Sequence, residues 1–430
     1  MAISGRAVAL AAAGLAPILV APQLITVAAW LAVVLAACGA DLARAAPVRT
    51  LQVERTAPSA VRLTVPATSE LVVTNPSART LHAVVRDAWQ PSAGAASQRH
   101  RARIPPGEAR RFRTVLAPRR RGDMSADRVA VRSFGPLGLA ARQASLDAPA
   151  TLRVLPEFSS RRHLPSRMAR LREMDGRSAV QVRGPGTEFD SLREYVAGDD
   201  VRAIDWRATA RRDEVVVRTW RPERDRRVLL VLDVSRTSAV RLGDAPRLEA
   251  QLEAALLLAA LASRAGDRVE LVAIDRRVRT RAVGAGPDTL LGAIARACAP
   301  LTPQLVELSW SAVVAAIHER LAHRSLVVLL TALDPAAITT GLLPVAGRLA
   351  RENQVVLASA HDPTLAELAQ GRETSAVLFD AAAAERALLE RQGVGAALRR
   401  TGIEVIDTTP DELAPALADT YLALKAAGRL

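Results

Sequence analysis

The run VLLVLD at residues 228–233, followed by Val234-Ser235-Arg236-Thr237, decides the fold. Five consecutive apolar residues ending on an aspartate read as a strand buried on both faces, the kind found inside parallel sheets. Downstream, a helix is expected from about Pro246 to Arg264, with Leu248, Leu252, Leu256 and Leu261 near helical spacing. The strand VELVAI comes next, then helical stretches at Asp288–Cys298 and Trp310–Ala322. Strands return at LVVLLT (326–331), QVVLAS and GIEVID (402–407), and a helix from Asp411 to about Ala427 closes the chain. This alternation predicts an α/β domain over 228–430, a doubly wound parallel sheet with helices on both faces. Ligands of such sheets bind at the carboxyl ends of the strands. Three segments should gather there: Asp233 to Thr237, Thr331-Ala332-Leu333-Asp334, and His361-Asp362-Pro363.

Upstream the character changes three times. Residues 156–227 are polar; between Arg183 and Arg227 eleven arginines face ten acids, a balance suited to ion-paired surfaces. Residues 50–155 hold short runs such as VRLTV and ELVVTN, alternating apolar and polar and split by turns such as Asn75-Pro76 and Pro105-Pro106-Gly107. That pattern predicts a small antiparallel β-sandwich. Nine arginines and one acid, Glu108, occupy residues 99–121, which reads either as a solvated strand face or as a contact with anionic headgroups. Residues 7–40 carry no charge and are broken by Pro17 and Pro22. They predict a membrane hairpin within 1–46, two short helices near 7–21 and 24–40, each close to the roughly 17-residue minimum for spanning. Arg6, Arg44 and Arg49 then hold both ends in the cytoplasm. LAAC at 35–38 resembles a lipobox, but the apolar stretch is about twice the length of a signal-peptide core.

Composition narrows the function classes. The 430 residues are 50% hydrophobic and carry a formal net charge of +14, nearly all of it arginine, since Lys425 is the only lysine. Mean hydropathy is +0.12, high for a purely soluble chain. Cys38 and Cys298 alone cannot build a disulfide scaffold. Aromatics are 3%, too few for base stacking, so no nucleic-acid partner is expected. Enzyme signals are poor. His318-Glu319 with His323 misses the four-residue spacing of a metalloprotease helix, and no nucleophile elbow or phosphate loop occurs.

The Asp233–Thr237 segment resembles the first part of a metal-ion-dependent adhesion site of von Willebrand factor A domains. One carboxylate and two hydroxyls offer hard oxygens to Mg2+. Ser309 is the candidate for a further hydroxyl. Ala332 stands where a second aspartate is common, and Asp334 is displaced by two residues. The candidate metal residues are therefore Asp233, Ser235, Thr237, Ser309 and Asp334. In the bland reading, Asp233 and Ser235 merely order the loop.

The densest motif runs from Gly186 to Ala210: GTEFDSLREYVAGDDVRAIDWRATA. It closely resembles the signature of the bacterial domain-of-unknown-function family 58, relatives of von Willebrand factor A domains. The matching residues include Glu188, Phe189, Arg193, Glu194, Tyr195, Gly198, Asp199, Asp200, Arg202, Asp205 and Trp206. The resemblance implies a membrane-anchored bacterial protein, and the flanking arginines place its soluble domains on the cytoplasmic side. It also implies work beside a MoxR-type AAA+ ATPase in assembly or maturation of other membrane or envelope proteins. Physically, Phe189, Tyr195 and Trp206 can anchor the segment, Gly198 permits a tight turn, and the charged residues can pair. On that reading Trp206→Ala costs a few kcal/mol.

The leading expectation is a non-enzymatic, membrane-tethered interaction protein without catalytic residues. The alternative is a metal-dependent hydrolase using the Asp233 loop, with Asp334 or His361 as base.

Overall fold

The computed structural model describes residues 2–178, 188–196, 199–212, 214–221 and 226–430. The chain divides into two compact units, Met1–Glu157 and Phe158–Leu430.

The first unit opens with β1 (Ala2–Ile3) and the helices α1 (Gly5–Ala13), α2 (Leu15–Val20) and α3 (Leu24–Arg44). Of these, α3 is long and apolar enough to cross a membrane. The first arm is broken at Gly14, where a side chain would meet the Trp30 ring at 2.1 Å. Trp30 also donates its indole N–H to the Leu10 carbonyl at 3.2 Å, so the two arms lie against each other. The strands follow: β2 (Gln52–Thr56), β3 (Ala60–Arg62), β4 (Ala67–Thr74), β5 (Leu81–Asp87), β6 (Arg99–Ile104), β7 (Ala109–Leu116), β8 (Gly122–Phe134) and β9 (Ala140–Leu155). They form one sheet in the order β1-β9-β8-β5-β6, with β3 beside β9, and a second in the order β2-β4-β7. Alternation along β4 and β5 turns Leu71, Val73, Leu81, Ala83 and Val85 into a shared core with Phe112, Val129 and Val131. Within it the Arg55 and Asp87 side chains are fully buried and paired at 2.7 Å.

Where α3 ends, Asp41 is completely buried. Its carboxylate accepts the backbone N–H groups of Leu137 (2.8 Å), Leu139 (2.7 Å) and Ala140 (3.0 Å) in the β8–β9 turn. The turn can approach this closely because residue 135 is glycine: a Cβ there would sit 2.1 Å from the Asp41 carbonyl oxygen. Arg142 donates to the Leu42 carbonyl at 3.1 Å, adding a side-chain bond at the helix end to the Ala45 N–H that this carbonyl also accepts at 3.3 Å. The Ser4 N–H bonds the Leu139 carbonyl at 3.0 Å, so both helical arms are fastened to one turn.

The second unit contains α4 (Leu164–Ser178), β10 (Glu188–Glu194), α5 (Trp206–Arg212), β11 (Val216–Arg221), β12 (Arg227–Asp233), β13 (Arg241–Leu242), β14 (Ala245–Pro246), α6 (Arg247–Arg264), β15 (Arg268–Ile274), β16 (Val278–Val283), α7 (Pro287–Cys298), α8 (Trp310–Arg320), β17 (Leu326–Leu330), α9 (Pro335–Ala337), α10 (Leu343–Glu352), β18 (Gln354–Ala360), α11 (Thr364–Leu368), α12 (Ser375–Arg400), β19 (Glu404–Thr408) and α13 (Pro410–Ala426). The main sheet runs β16-β15-β12-β17-β18-β19. Its pairs are parallel except for the β15–β16 edge. Every residue of β12 after Arg227 is buried, as its unbroken apolar run demands. Val228, Leu230 and Leu232 join one core with α6, α7 and α13. Leu229 and Val231 join another with α8, α10 and α12. The chain is thus a mixed α/β protein whose second unit carries apolar packing on both faces of its sheet.

Candidate functional site

The end of β12 puts Asp233 inside the protein, 1% exposed. The pairing of Leu232 with Leu330 brings the end of β17 alongside. Asp233 Oδ1 accepts the Ser235 N–H at 2.8 Å. Its Oδ2 accepts hydroxyl protons from Thr237 at 2.9 Å and Thr331 at 2.6 Å. The Ser235 and Thr237 hydroxyls lie 3.2 Å apart, and Ser238 donates to the Asp233 carbonyl at 2.7 Å. One carboxylate thus organises three hydroxyl-bearing residues, all buried.

The other two candidates stand elsewhere. The Ser309 N–H is held by the Asp275 carbonyl at 3.0 Å, at the end of the neighbouring strand. Its hydroxyl accepts from Ala312 N–H at 3.3 Å, capping α8. Asp334 caps α9, accepting the Ala337 N–H at 3.0 Å. A cavity of about 300 Å³ opens beside the carboxylate, lined by Asp233, Thr237, Thr331, Ala332, Trp310 and Gly341 among others. Asp334 lines a separate hollow of about 200 Å³, with Arg247, Glu390 and Arg391. Arg236 and Glu307 pair at the cavity rim.

Two residues at this end carry weight that the sequence reading did not assign, although it expected the Thr331 segment to gather here. Thr331 bonds the carboxylate directly. Arg247, 7% exposed, donates to the Ala360 carbonyl at 2.9 Å and to that of Thr237, stapling the β12 loop to the end of β18. Burial, and then the nearby charge of Arg391, push its guanidinium below the usual arginine value.

The donor set does not by itself suit magnesium. Both Asp233 oxygens already accept protein hydrogens, the hydroxyls are neutral, and Ala332 carries no side-chain oxygen. Among the described residues no three His, Cys, Asp or Glu side chains converge as a metal site.

His361 stands apart from Asp233, with Nδ1 3.5 Å from Asp407 Oδ1. Arg391 donates to the same carboxylate from Nε at 3.1 Å. Burial alone would raise the Asp407 carboxyl, but the close approach of His361 and the hydrogen bonds from Arg391 outweigh it and hold it below the ordinary 3.8. A depressed carboxyl contributes stability above the unfolded value that is lost as pH falls through the folded value. We therefore expect Asp407→Asn to cost about 2 kcal/mol at pH 7. The gap from wild type should close in urea melts as the pH drops below 3.8. A gap that stays constant with pH would count against this pairing.

The signature segment forms ion pairs but does not bury its best anchor. Arg193 grips Asp199 through two nitrogens, at 2.7 and 2.5 Å, and Asp199 also accepts the Val196 N–H at 2.9 Å. Asp205 takes Arg218 at 2.9 Å and the N–H groups of Arg207 and Ala208. Asp200 accepts the Arg202 N–H at 3.0 Å. β10 and β11 pair as an antiparallel ribbon. The expectation that Trp206 is buried is corrected: the residue is 69% exposed, and Val201 at 63%, Val196 at 60% and Tyr195 in the same segment are exposed too. It begins a seven-residue helix that is tied to the ribbon by backbone bonds and ion pairs, and those bonds do not need the ring. Gly198 and the side chains of Glu188 and Phe189 lie outside the described residues.

Residues 191–401 match the model of a family described as "Protein of unknown function DUF58", which supports membership of that family. No curated protein matches the chain. Among solved structures, the SpRpn10 VWA domain is similar, with 12% identity, 45% of this chain and 94% of that one covered, and a TM-score of 0.29. Proximal thread matrix protein 1 of the mussel byssus is similar at 15% identity, covering 47% of this chain and 46% of that one, with a TM-score of 0.27. The CARDB domain of PF1109 from Pyrococcus furiosus is similar at 17% identity, over 24% of this chain and 91% of that one, with a TM-score of 0.19.

Proposed function

We propose that the chain is a membrane-anchored, non-catalytic member of the DUF58 family, an interaction platform working with a MoxR-type AAA+ ATPase on other membrane or envelope proteins. In this reading the second unit is a von Willebrand factor A-like doubly wound domain. The first is a helical hairpin and β-sandwich that tethers the chain, with both helix ends on the cytoplasmic side beside Arg6, Arg44 and Arg49.

The observation that carries the proposal is the exposed Trp206 with Val201 and Val196, presented on a segment braced by the Arg193–Asp199 and Arg218–Asp205 pairs. Solvent-facing tryptophan on a rigid support is the composition of a partner's docking point. The Asp233 loop supports binding over hydrolysis, because, of the nominated bases, Asp334 caps α9 and His361 stands at Asp407 rather than at Asp233.

The test is affinity purification of the full chain from membranes of its host. The expected result is an AAA+ ATPase co-purifying with the wild type and at least tenfold depleted with Trp206→Ala. The variant's unfolding free energy should stay within about 0.5 kcal/mol of wild type, as for other surface changes. Equal recovery of the ATPase with both proteins, or none with either, would sink the proposal.

A further inference from the structure

We propose that the outer face of the β6-β5-β8 sheet, where it meets the start of α1, is a binding site for the phosphate group of an anionic phospholipid. The inference rests on the membrane-anchoring reading above.

Register places the residues. His82 of β5 lies opposite Arg103 of β6 and Phe134 of β8; one step along, Val84 lies opposite Arg101 and Arg132. A further step sets Arg86 opposite Arg99. Strand alternation points all of these to one face, and Arg86, Arg99, Arg101, Arg103, Arg132 and His82 are exposed there. Arg86, Arg99, Arg101 and Arg103 make no ion pair among the described residues. An open groove of about 780 Å³ occupies the end of this face next to the start of α1, lined by Arg6, His82, Arg101, Arg103, Phe134 and Gly135, with no acid in its walls. Arg6 is aimed by a bond from Nη1 to the Leu137 carbonyl at 3.3 Å.

The surroundings favour a lipid over a free anion. The groove adjoins the turn to which Ser4 and Asp41 fasten both apolar arms, so it stands at the level where α1 and α3 leave the chain's polar body. Leu137, 54% exposed, and Ile3, 75% exposed, stand beside it. A surface with apolar side chains at its edge and guanidinium groups just behind suits the boundary of a bilayer, with acyl chain on one side and phosphate on the other. Guanidinium groups match phosphate oxygens in geometry as well as charge.

The experiment uses the full chain in detergent, with added phosphatidylglycerol or phosphatidylcholine and retained lipid read by native mass spectrometry. Phosphatidylglycerol should be retained about tenfold better. Arg101→Glu/Arg103→Glu should abolish that preference without moving the melting temperature, since an arginine at an anionic surface is worth roughly fivefold in affinity. Equal retention of both lipids, or undiminished retention by the variant, overturns the proposal. So does inorganic phosphate binding as tightly as the lipid, which would make the source a free anion, or a DNA duplex displacing the lipid. A carbonate wash of membranes separates the two levels. Release of the chain would overturn the anchoring reading, whereas a chain that stays in the membrane yet shows no lipid preference overturns this inference alone.

Discussion

Asp41→Ala is expected to lower the stability of the first unit by about 3–5 kcal/mol, the cost of stranding two to three buried donors at roughly 1–3 kcal/mol each. The carboxylate is completely buried and holds the N–H groups of Leu137, Leu139 and Ala140. Those donors cannot turn elsewhere, because the turn is closed over them by the Gly135 contact. A negative charge in the last turn of a helix is otherwise unfavourable. Three inward N–H groups offset that penalty, so the residue's presence there is explained by the docking it performs. Asp41→Asn retains one acceptor oxygen and should lose about half as much. Thermal unfolding of the full chain in detergent gives the magnitude. Limited trypsin digestion at Arg44 and Arg142 locates it, since release of the α3 end from the turn should expose both sites. Unfolding indistinguishable from wild type would mean that the Ser4, Arg6 and Arg142 bonds hold the arms to the turn without the Asp41 carboxylate.

The sequence carried the sheet because physical constraints there act over short distances. A strand buried on both faces must be apolar at every position, and VLLVL satisfies that within five residues. Helix α6, buried at every residue from Ala254 to Ala262, shows the same constraint in a helix. The carboxylate site was half visible. Ser235 and Thr237 lie within four residues of Asp233, so a single loop brings them together. Thr331 is 98 residues away, and only the β12–β17 register joins it to Asp233. Arg247 resembles any charged residue in a first helical turn, and its burial follows from where α6 passes under the ends of β12 and β18. Asp41 is one acid after an uncharged stretch, and nothing local marks it as an acceptor of distant N–H groups. Trp206 misled for the opposite reason. Aromatic character argues for burial on average, but a seven-residue helix whose first turn is capped by Asp205 does not require its ring inside.

Asp233→Ala should cost the second unit about 3 kcal/mol, and the loss should be the same with excess magnesium or with a chelator. The carboxylate receives the Ser235 N–H and the hydroxyls of Thr237 and Thr331. Hydrogen bonds to a buried charged acceptor are worth about 1.5–3 kcal/mol each, but hydroxyls can rotate to new acceptors, so the sum is only partly realised. For a metal to take this place it would displace those donors and shed its own water. Magnesium does that reluctantly and demands octahedral geometry. One carboxylate and neutral hydroxyls do not offset the cost. The second acid that would help is absent at Ala332, and Asp334 is engaged in capping α9. A ligand that binds only the folded state raises stability with its concentration, so the melting temperature of the wild type in rising magnesium reads the affinity directly. A flat response is expected for the full chain alone, with a rise only when a partner's carboxylate completes the shell. Calorimetric titration of the full chain in detergent closes the argument: a micromolar magnesium constant that vanishes in Asp233→Ala would show that the hydroxyl ring opens for a cation unaided, and that the hydrogen bonds around Asp233 are the closed state of a working metal site.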